Sequence, residues 1–76
     1  MENNWQNLIS IDPDIRFGKP VIAGTRICVS DILSWLSTAM TFEEIIADFP
    51  ELKKEHILAA LAFAANRENI TKIIAA

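Results

Sequence analysis

The sequence has few of the residues on which disulfide-bonded, metal-binding and membrane-spanning proteins depend. Its 76 residues include one cysteine and one histidine. A lone cysteine cannot close a disulfide within the chain, and one His with one Cys is too small a set for the usual zinc site. The longest uncharged stretches, 32–42 and 56–66, have 11 residues each, whereas a transmembrane helix needs about 20. We therefore expect no membrane span, no metal and no other cofactor.

Signals for export and for catalysis are also missing. The N-terminus has no basic segment followed by an apolar core, so we expect a cytoplasmic protein. The carboxylate pairs at 12 and 14 and at 43 and 44 stand where a turn and a helix cap would use them. Cys28 has no base near it in the sequence, and no acid–base pair stands out. We expect a protein that is not an enzyme.

The chain has no surplus of basic residues. Seven Lys and Arg against ten Asp and Glu give a net charge of −3, and dedicated nucleic-acid binders usually carry a basic surplus. The acidic residues are concentrated in 31–56, where the net charge is −4, while 1–30 sum to zero and 57–76 to +1. The overall charge therefore argues against DNA, but it leaves room for basic patches near either end.

Hydrophobic residues make up 51% of this short chain. A domain of this size buries only about 60% of the surface that its unfolded chain exposes. We therefore expect part of the apolar surface to contact another molecule. The prediction is a homodimer, a complex with a different protein, or both.

Glycine and proline divide the chain into two parts, because all five precede residue 51. Residues 1–7 read as a leader and 8–76 as one domain, with a β arm over 8–29 and a helical part over 30–76. In the arm, the short β-branched segments 21–22 and 27–29 flank Ala-Gly-Thr, which predicts a small hairpin.

Three helices are predicted in the second part. The first runs over about 30–38, with Ser30 as its N-cap. The second opens with a capping box of Thr41 and Glu44, and it ends near residue 48 because Pro50 disfavours helix at the residue before it. The third begins around Lys53, with an interruption expected over 66–69. The tight connection before it favours a helix-turn-helix arrangement.

The arm and the second helix carry a family resemblance. The stretch ISIDPDIRFGKPVIAGTRI at 9–27, with Glu-Glu-Ile-Ile at 43–46 and Asp-Phe-Pro at 48–50, closely resembles domain of unknown function 433. That bacterial and archaeal family includes VapB-like antitoxins. The resemblance implies a mainly α, homeodomain-like helix-turn-helix fold with a short N-terminal β arm. It also implies the antitoxin of a type II toxin–antitoxin pair, which binds a PIN-like nuclease toxin and represses its own operon.

The sequence departs from the family pattern at two places. Ala39 stands where the family often has glycine, in a position suited to a left-handed helix end. Lys53 and Lys54 stand where the family favours Thr-Pro, so a capping hydroxyl is lost and two cations lie at the positive end of a helix dipole. Such a local cost is consistent with phosphate contact and equally with an exposed turn that tolerates it.

Candidate DNA contacts follow from the predicted helix-turn-helix. Lys53, Lys54 and His56 fall on the first turns of the predicted recognition helix, whose N-terminal residues meet base edges and phosphates in such proteins. Lys19 in the arm is a further candidate for a phosphate contact. The alternative is a solvated turn partly neutralised by Glu55.

Candidate partner contacts lie at the two ends of the chain. Trp5 stands in a polar leader, and Trp is enriched at binding hot spots. In the tail, cationic residues alternate with apolar ones. The apolar side chains could fill a groove of a partner while a cation contacts the clustered carboxylates of a nuclease. The tail residues concerned are Arg67, Ile70, Lys72, Ile73 and Ile74. The alternative is that the isoleucines close the domain's own core.

The remaining motif residues receive structural roles. Gly18 and Gly24 are predicted to be turn glycines, in a motif that also contains Pro20, Thr25 and Arg26. Arg16, Lys19 and Arg26 form a basic group that could contact phosphate. The alternative is internal ion pairs with Asp12 and Asp14, and for Arg26 we favour this structural role. A second function also fits the sequence: a protein-interaction module that binds a partner and never touches DNA.

Overall fold

The fold is mainly helical, with a small N-terminal sheet, as the sequence predicts. The computed structural model describes the backbone of residues 5–75 and the side chains of residues 5–67. After a short 3-10 helix at Trp5–Leu8 come the strands β1 (Ile9–Ser10) and β2 (Val21–Ile22), followed by three helices: α1 (Val29–Ser37), α2 (Phe42–Asp48) and α3 (Lys54–Ala75).

The sheet consists of β1 and β2, and the predicted hairpin between β2 and residues 27–29 forms only in part, with the Ile22 N–H donating to the Ile27 carbonyl at 2.9 Å. The two strands are antiparallel, with Ile9 opposite Ile22 and Ser10 opposite Val21. The predicted partner segment meets β2 through one isolated bridge between Val21 and Cys28. The reason is that α1 already begins at residue 29, so the segment has no room to form a strand.

The turn after β2 requires glycine. The Thr25 N–H donates to the Ile22 carbonyl at 2.9 Å, and Gly24, between them, has φ +81°, which side chains disfavour. The Thr25 hydroxyl donates to the same carbonyl at 2.8 Å and accepts from the Ile27 N–H at 3.0 Å. The motif prediction for Gly24 and Thr25 therefore has a physical basis in this turn.

The start of α1 corrects the sequence prediction. Cys28, not Ser30, is the N-cap. The Asp31 carboxylate reaches back to accept the Cys28 N–H at 3.0 Å, and the Val29 N–H is bonded to the Pro20 carbonyl at 3.0 Å. These bonds hold residues 28 and 29 at the beginning of the helix, so Ser30 lies inside its first turn.

The junctions of α2 follow the sequence closely. The predicted capping box is confirmed, because the Glu44 N–H donates to the Thr41 hydroxyl at 3.1 Å and the Thr41 N–H to Glu44 at 2.8 Å. Before it, α1 ends at Ser37, and Ala39, two residues later, has a φ of +71°. The left-handed helix end that the family pattern suggests is therefore formed here by alanine.

Helix α3 runs without the interruption predicted at 66–69. The Asn-Arg-Glu-Asn segment there costs less than about 0.7 kcal/mol per residue relative to alanine, and the alanine-rich turns before it favour continuation. Within the described part of the chain, no helix combines the length and the apolar character needed to cross a membrane.

The sheet and each of the three helices contribute at least one side chain to the hydrophobic core. Its most buried large members, each 0–1% exposed, are Ile22, Ile32, Ile45, Leu52 and Ile57. Next to them the rings of Trp35 and Phe49 stack at a centroid distance of 4.4 Å. Since Phe49 and Leu52 belong to the α2–α3 connection, this packing fixes where α3 begins.

Candidate functional site

The beginning of α3 gathers three of the residues predicted to contact DNA. Lys53 and Lys54 are exposed and His56 is half-buried. The His56 Nδ1 accepts the Lys53 N–H at 2.8 Å, so the imidazole does the work of a capping side chain. The two lysines are therefore the groups that this turn offers to an outside anion, while His56 organises the turn.

Beyond this first turn, the outward face of α3 is apolar. Leu58 and Leu61 are 44% and 38% exposed, and Ala65 is also exposed. They follow Lys54 at intervals of four, three and four residues, so all four lie on one side of the helix. We call Leu58, Leu61 and Ala65 the outer stripe. From residue 55 to residue 65 this side presents no hydrogen-bonding side chain.

A groove lies between the arm and α3. It has a volume of about 560 Å³ and is lined by Lys19, Pro20, Val29, Ser30, Leu33, Phe63, Ala64 and Arg67. The structure thus brings together Lys19, predicted to contact DNA, and Arg67, predicted to contact a partner. We call it the Lys19–Arg67 groove. Its lining is mostly apolar and includes two cationic side chains, and no acidic residue lines it.

Aromatic contacts organise one wall of the groove. The guanidinium carbon of Arg67 lies 5.5 Å from the centroid of the Phe63 ring, within the range of a cation–π contact. The half-buried Trp5 packs edge-on against Phe63, with centroids 6.2 Å apart. Part of the Trp5 ring therefore packs against the protein's own α3, and its contact with a partner stays a prediction.

The turn before the groove has an unusual backbone. Arg16, Phe17 and Gly18 have φ values of +51°, +61° and +81°. The left-handed conformation costs a residue other than glycine about 1–2 kcal/mol, so this turn is strained at two positions. Phe17 is also 95% exposed. The sequence analysis predicted a turn glycine at Gly18 and missed the ring, although a bulky aromatic before Gly-Lys-Pro was the available signal.

The ion pairs expected in the arm are replaced by a different one. Arg16 Nη1 lies 3.4 Å from Asp31 Oδ2 and donates to the Arg26 carbonyl at 2.8 Å. The Asp12 carboxylate accepts the Asp14 N–H at 2.9 Å, which is a local turn bond. The expected pairing of Arg26 with Asp12 or Asp14 is wrong, because Arg26 contributes its carbonyl and leaves its side chain exposed.

Four predicted partner residues lie outside the described side chains: Ile70, Lys72, Ile73 and Ile74. The helix backbone continues through them to Ala75. Elsewhere, Cys28 is 1% exposed in the core. Across residues 5–67, no three His, Cys, Asp or Glu side chains lie close enough together to share a metal ion.

Comparison with known proteins identifies the family. The model of the family described as "Protein of unknown function (DUF433)" matches residues 9–64. A crystal structure of a DUF433 member from Anabaena variabilis is similar, with a TM-score of 0.75 and 32% sequence identity over 93% of this chain and 71% of that one. No curated protein matches the chain. The match spans most of the sequence, and the chain therefore belongs to the DUF433 family.

Proposed function

We propose that this protein acts by docking to another protein, as the antitoxin of a type II toxin–antitoxin pair in the cytosol. Its target is a PIN-like nuclease, which it neutralises. The observation that carries the proposal is the outer stripe of α3, where apolar side chains occupy the side that a recognition helix would present to DNA.

The chemistry of the outer stripe favours a protein surface over a DNA groove. Base edges are read by side chains that donate or accept hydrogen bonds. Leu58, Leu61 and Ala65 do neither, and burying them in a hydrated groove would gain little specificity. Full burial of a leucine side chain contributes about 1.5–3 kcal/mol, so covering the exposed 44% of Leu58 and 38% of Leu61 would contribute roughly 0.6–1.3 kcal/mol each.

The buried side of α3 supports the same conclusion. Ile57 and Ala60 are fully buried in the protein's own core, so α3 has apolar side chains on two sides. A helix with this distribution is typically covered on both. The chain covers one side itself, and we assign the other to the nuclease.

The positive charge of Arg67 is complementary to the acidic metal site of a nuclease. Arg67 is exposed on α3, six residues beyond Leu61, which is less than two turns and places it beside the outer stripe and not on it. PIN-like nucleases hold their metal with clustered carboxylates, and a guanidinium pairs with carboxylates through strong, directional hydrogen bonds. Apolar contacts along the stripe would thus supply affinity, and the cation would occupy the acidic site.

The test is co-expression with the nuclease encoded beside this chain. We expect the double variant Leu58→Gln, Leu61→Gln to lose co-purification and to leave the nuclease active on RNA. Partner affinity should fall at least about tenfold, because a loss of 1.4 kcal/mol is already that much. Glutamine suits a helix nearly as well as leucine, so the circular dichroism spectrum should stay unchanged.

A matched control places the same residue type on exposed positions of other helices. The double variant Ser34→Gln, Ala47→Gln changes α1 and α2 and should neutralise the nuclease normally. If the variant at 58 and 61 neutralises as well as this control, the outer stripe is not the docking surface and the proposal is wrong.

A second function, operator binding by the same protein, is favoured by the exposed Lys53 and Lys54 at the start of α3. A dimer would present this turn twice, as operator-binding dimers do. We expect salt-dependent binding to the upstream promoter fragment, with or without the nuclease. Lys53→Glu with Lys54→Glu should flatten the salt slope by about 0.9 for each DNA phosphate that the variant no longer neutralises.

An unchanged slope in that variant would remove the two lysines from the DNA interface. The absence of any sequence-selective binding by the unchanged protein, alone and with the nuclease, would leave an interaction module that does not touch DNA. Neutralisation measured in the same preparations separates this outcome from failure of the antitoxin role.

A further inference from the structure

Phe17 is held in water by a constrained turn. Its ring is 95% exposed, and both it and Arg16 have left-handed backbones. Strain of this kind persists only where surrounding contacts impose it, and it is concentrated at functional positions. A strained turn that keeps an aromatic ring in solvent therefore points to a binding role for Phe17.

Several contacts impose this conformation. The Ile15 N–H donates to the Asp12 carbonyl at 2.9 Å, and the Gly18 N–H to the Ile15 carbonyl at 3.1 Å. Arg16 is bonded to the Arg26 carbonyl and paired with Asp31. The backbone of Phe17 is therefore presented in a fixed position, and little backbone entropy remains to be lost when its ring is bound.

The Lys19–Arg67 groove has the properties of a receptor for such a ring. Its floor of Val29, Leu33 and Phe63 is apolar, and its volume of about 560 Å³ is within the range of sites that enclose small ligands. Lys19 and Arg67 can each approach the face of an inserted aromatic ring. An aromatic side chain suits this site better than an aliphatic one for that reason.

The charges on the two surfaces are complementary. The loop that carries Phe17 also presents the exposed Asp14, whereas the groove presents Lys19 and Arg67. The cation of the loop, Arg16, is already paired with Asp31. Each chain therefore carries two complementary surfaces: an acidic loop with an exposed aromatic ring, and a basic groove with an apolar floor.

We propose that the occupant of the groove is Phe17 of a second copy of this chain. Phe17 and Lys19 are two residues apart, so the ring's backbone lies within about 7 Å of the groove's edge. A two-fold axis beside this edge places each Phe17 in the groove of the other copy. Such a reciprocal contact closes at two subunits and needs no third.

This dimer contact shares Arg67 with the proposed nuclease contact, so Arg67→Glu is to be measured for both oligomeric state and neutralisation, whereas Phe17→Gly tests the dimer contact alone. It uses the arm and the side of α3 that carries Phe63 and Arg67, and it leaves the outer stripe uncovered. It also assigns a surface to the homodimer expected from the composition of the chain.

The test compares oligomeric state by sedimentation equilibrium of the full chain over a range of concentrations. The unchanged protein should be a dimer, and Phe17→Gly should raise the dimer dissociation constant at least about tenfold. Glycine relieves the left-handed backbone, so this variant should unfold at a higher urea concentration than the unchanged protein. Greater stability with weaker association excludes misfolding as the cause.

One control and two further tests make the assignment specific. Leu58→Gln removes an exposed apolar side chain from another face and should leave the dimer intact. Arg67→Glu should weaken the dimer as Phe17→Gly does. A photo-reactive phenylalanine analogue at position 17 should cross-link to residues 63–67 of the second copy.

Three results would overturn the proposal. They are a monomeric unchanged protein, a dimer unaffected by Phe17→Gly, and a cross-link to a different face. If Phe17→Gly stays dimeric but loses the nuclease, then Phe17 docks on the nuclease and the groove contact between copies is wrong.

Discussion

Arg16 and Asp31 connect the arm to the first helix: Nη1 of the arginine lies 3.4 Å from Oδ2 of the aspartate. The same oxygen accepts the Cys28 N–H at 3.0 Å. One carboxylate thus caps α1 and holds the turn that presents Phe17. Both side chains are about one-third exposed, at 35% and 34%, so the ion pair itself contributes little, and the backbone bond carries most of the stabilisation.

Substitution at Asp31 should separate these two contributions. Asp31→Ala removes both interactions and should lower the free energy of unfolding by about 1 kcal/mol, the usual effect of removing a capping side chain. Asp31→Asn keeps an acceptor for the Cys28 N–H and should lower it by less than half as much. Urea unfolding measures both values, and equal losses would show that the ion pair dominates.

Ala39→Gly should stabilise the protein. The φ of +71° at Ala39 costs alanine about 1–2 kcal/mol, whereas glycine adds about 0.4–1 kcal/mol of chain entropy to the unfolded state. We expect a net gain of about 0.5–1 kcal/mol in the free energy of unfolding. Ala47→Gly, in the right-handed α2, is the matched control and should destabilise by a similar amount.

Lys53→Thr should separate stability from nucleic-acid binding. A threonine hydroxyl at this position can accept the His56 N–H as an N-cap, and the substitution removes a cation from the positive end of α3. We expect the free energy of unfolding to rise by about 0.5–1 kcal/mol. If the lysine contacts phosphate, affinity for the promoter fragment falls in the same variant; a variant that is both more stable and equally tight contradicts that contact.

Deleting residues 67–76 should abolish neutralisation of the nuclease. The deletion removes Arg67 and the predicted contacts at 70 and 72–74, while Phe63 remains to pack against Trp5. We therefore expect cooperative thermal unfolding to persist, monitored by circular dichroism. A truncated chain that no longer unfolds cooperatively would show that the tail isoleucines close the protein's own core.

Local sequence signals located the helices well where the interaction is short-range. The Thr41 and Glu44 capping box and the stop before Pro50 involve groups within three residues of each other, and both were predictable from the sequence. The start of α1 was not, because its extent depends on the Val29 bond to the Pro20 carbonyl, nine residues away. The predicted interruption over 66–69 was wrong for another reason: two asparagines weaken a helix by less than the neighbouring residues favour it.

The candidate surfaces divide in the same way. The sequence indicated the basic turn at Lys53 and Lys54, and it singled out Lys19 and Arg67 separately. It did not bring Lys19 and Arg67 together, since they are far apart in the chain and meet only because α3 packs beside the arm. Phe17 was not identified as exposed, because exposure depends on what the rest of the chain leaves uncovered.

The amino-acid order alone indicated that this chain is a mainly helical member of the DUF433 family. Hydrophobic periodicity, caps and turn residues act over a few positions, so they can be read directly. The tertiary structure decided which apolar side chains remain exposed, and it brought Lys19 and Arg67 together at one groove. Those features arise from packing between distant segments, which no local pattern encodes.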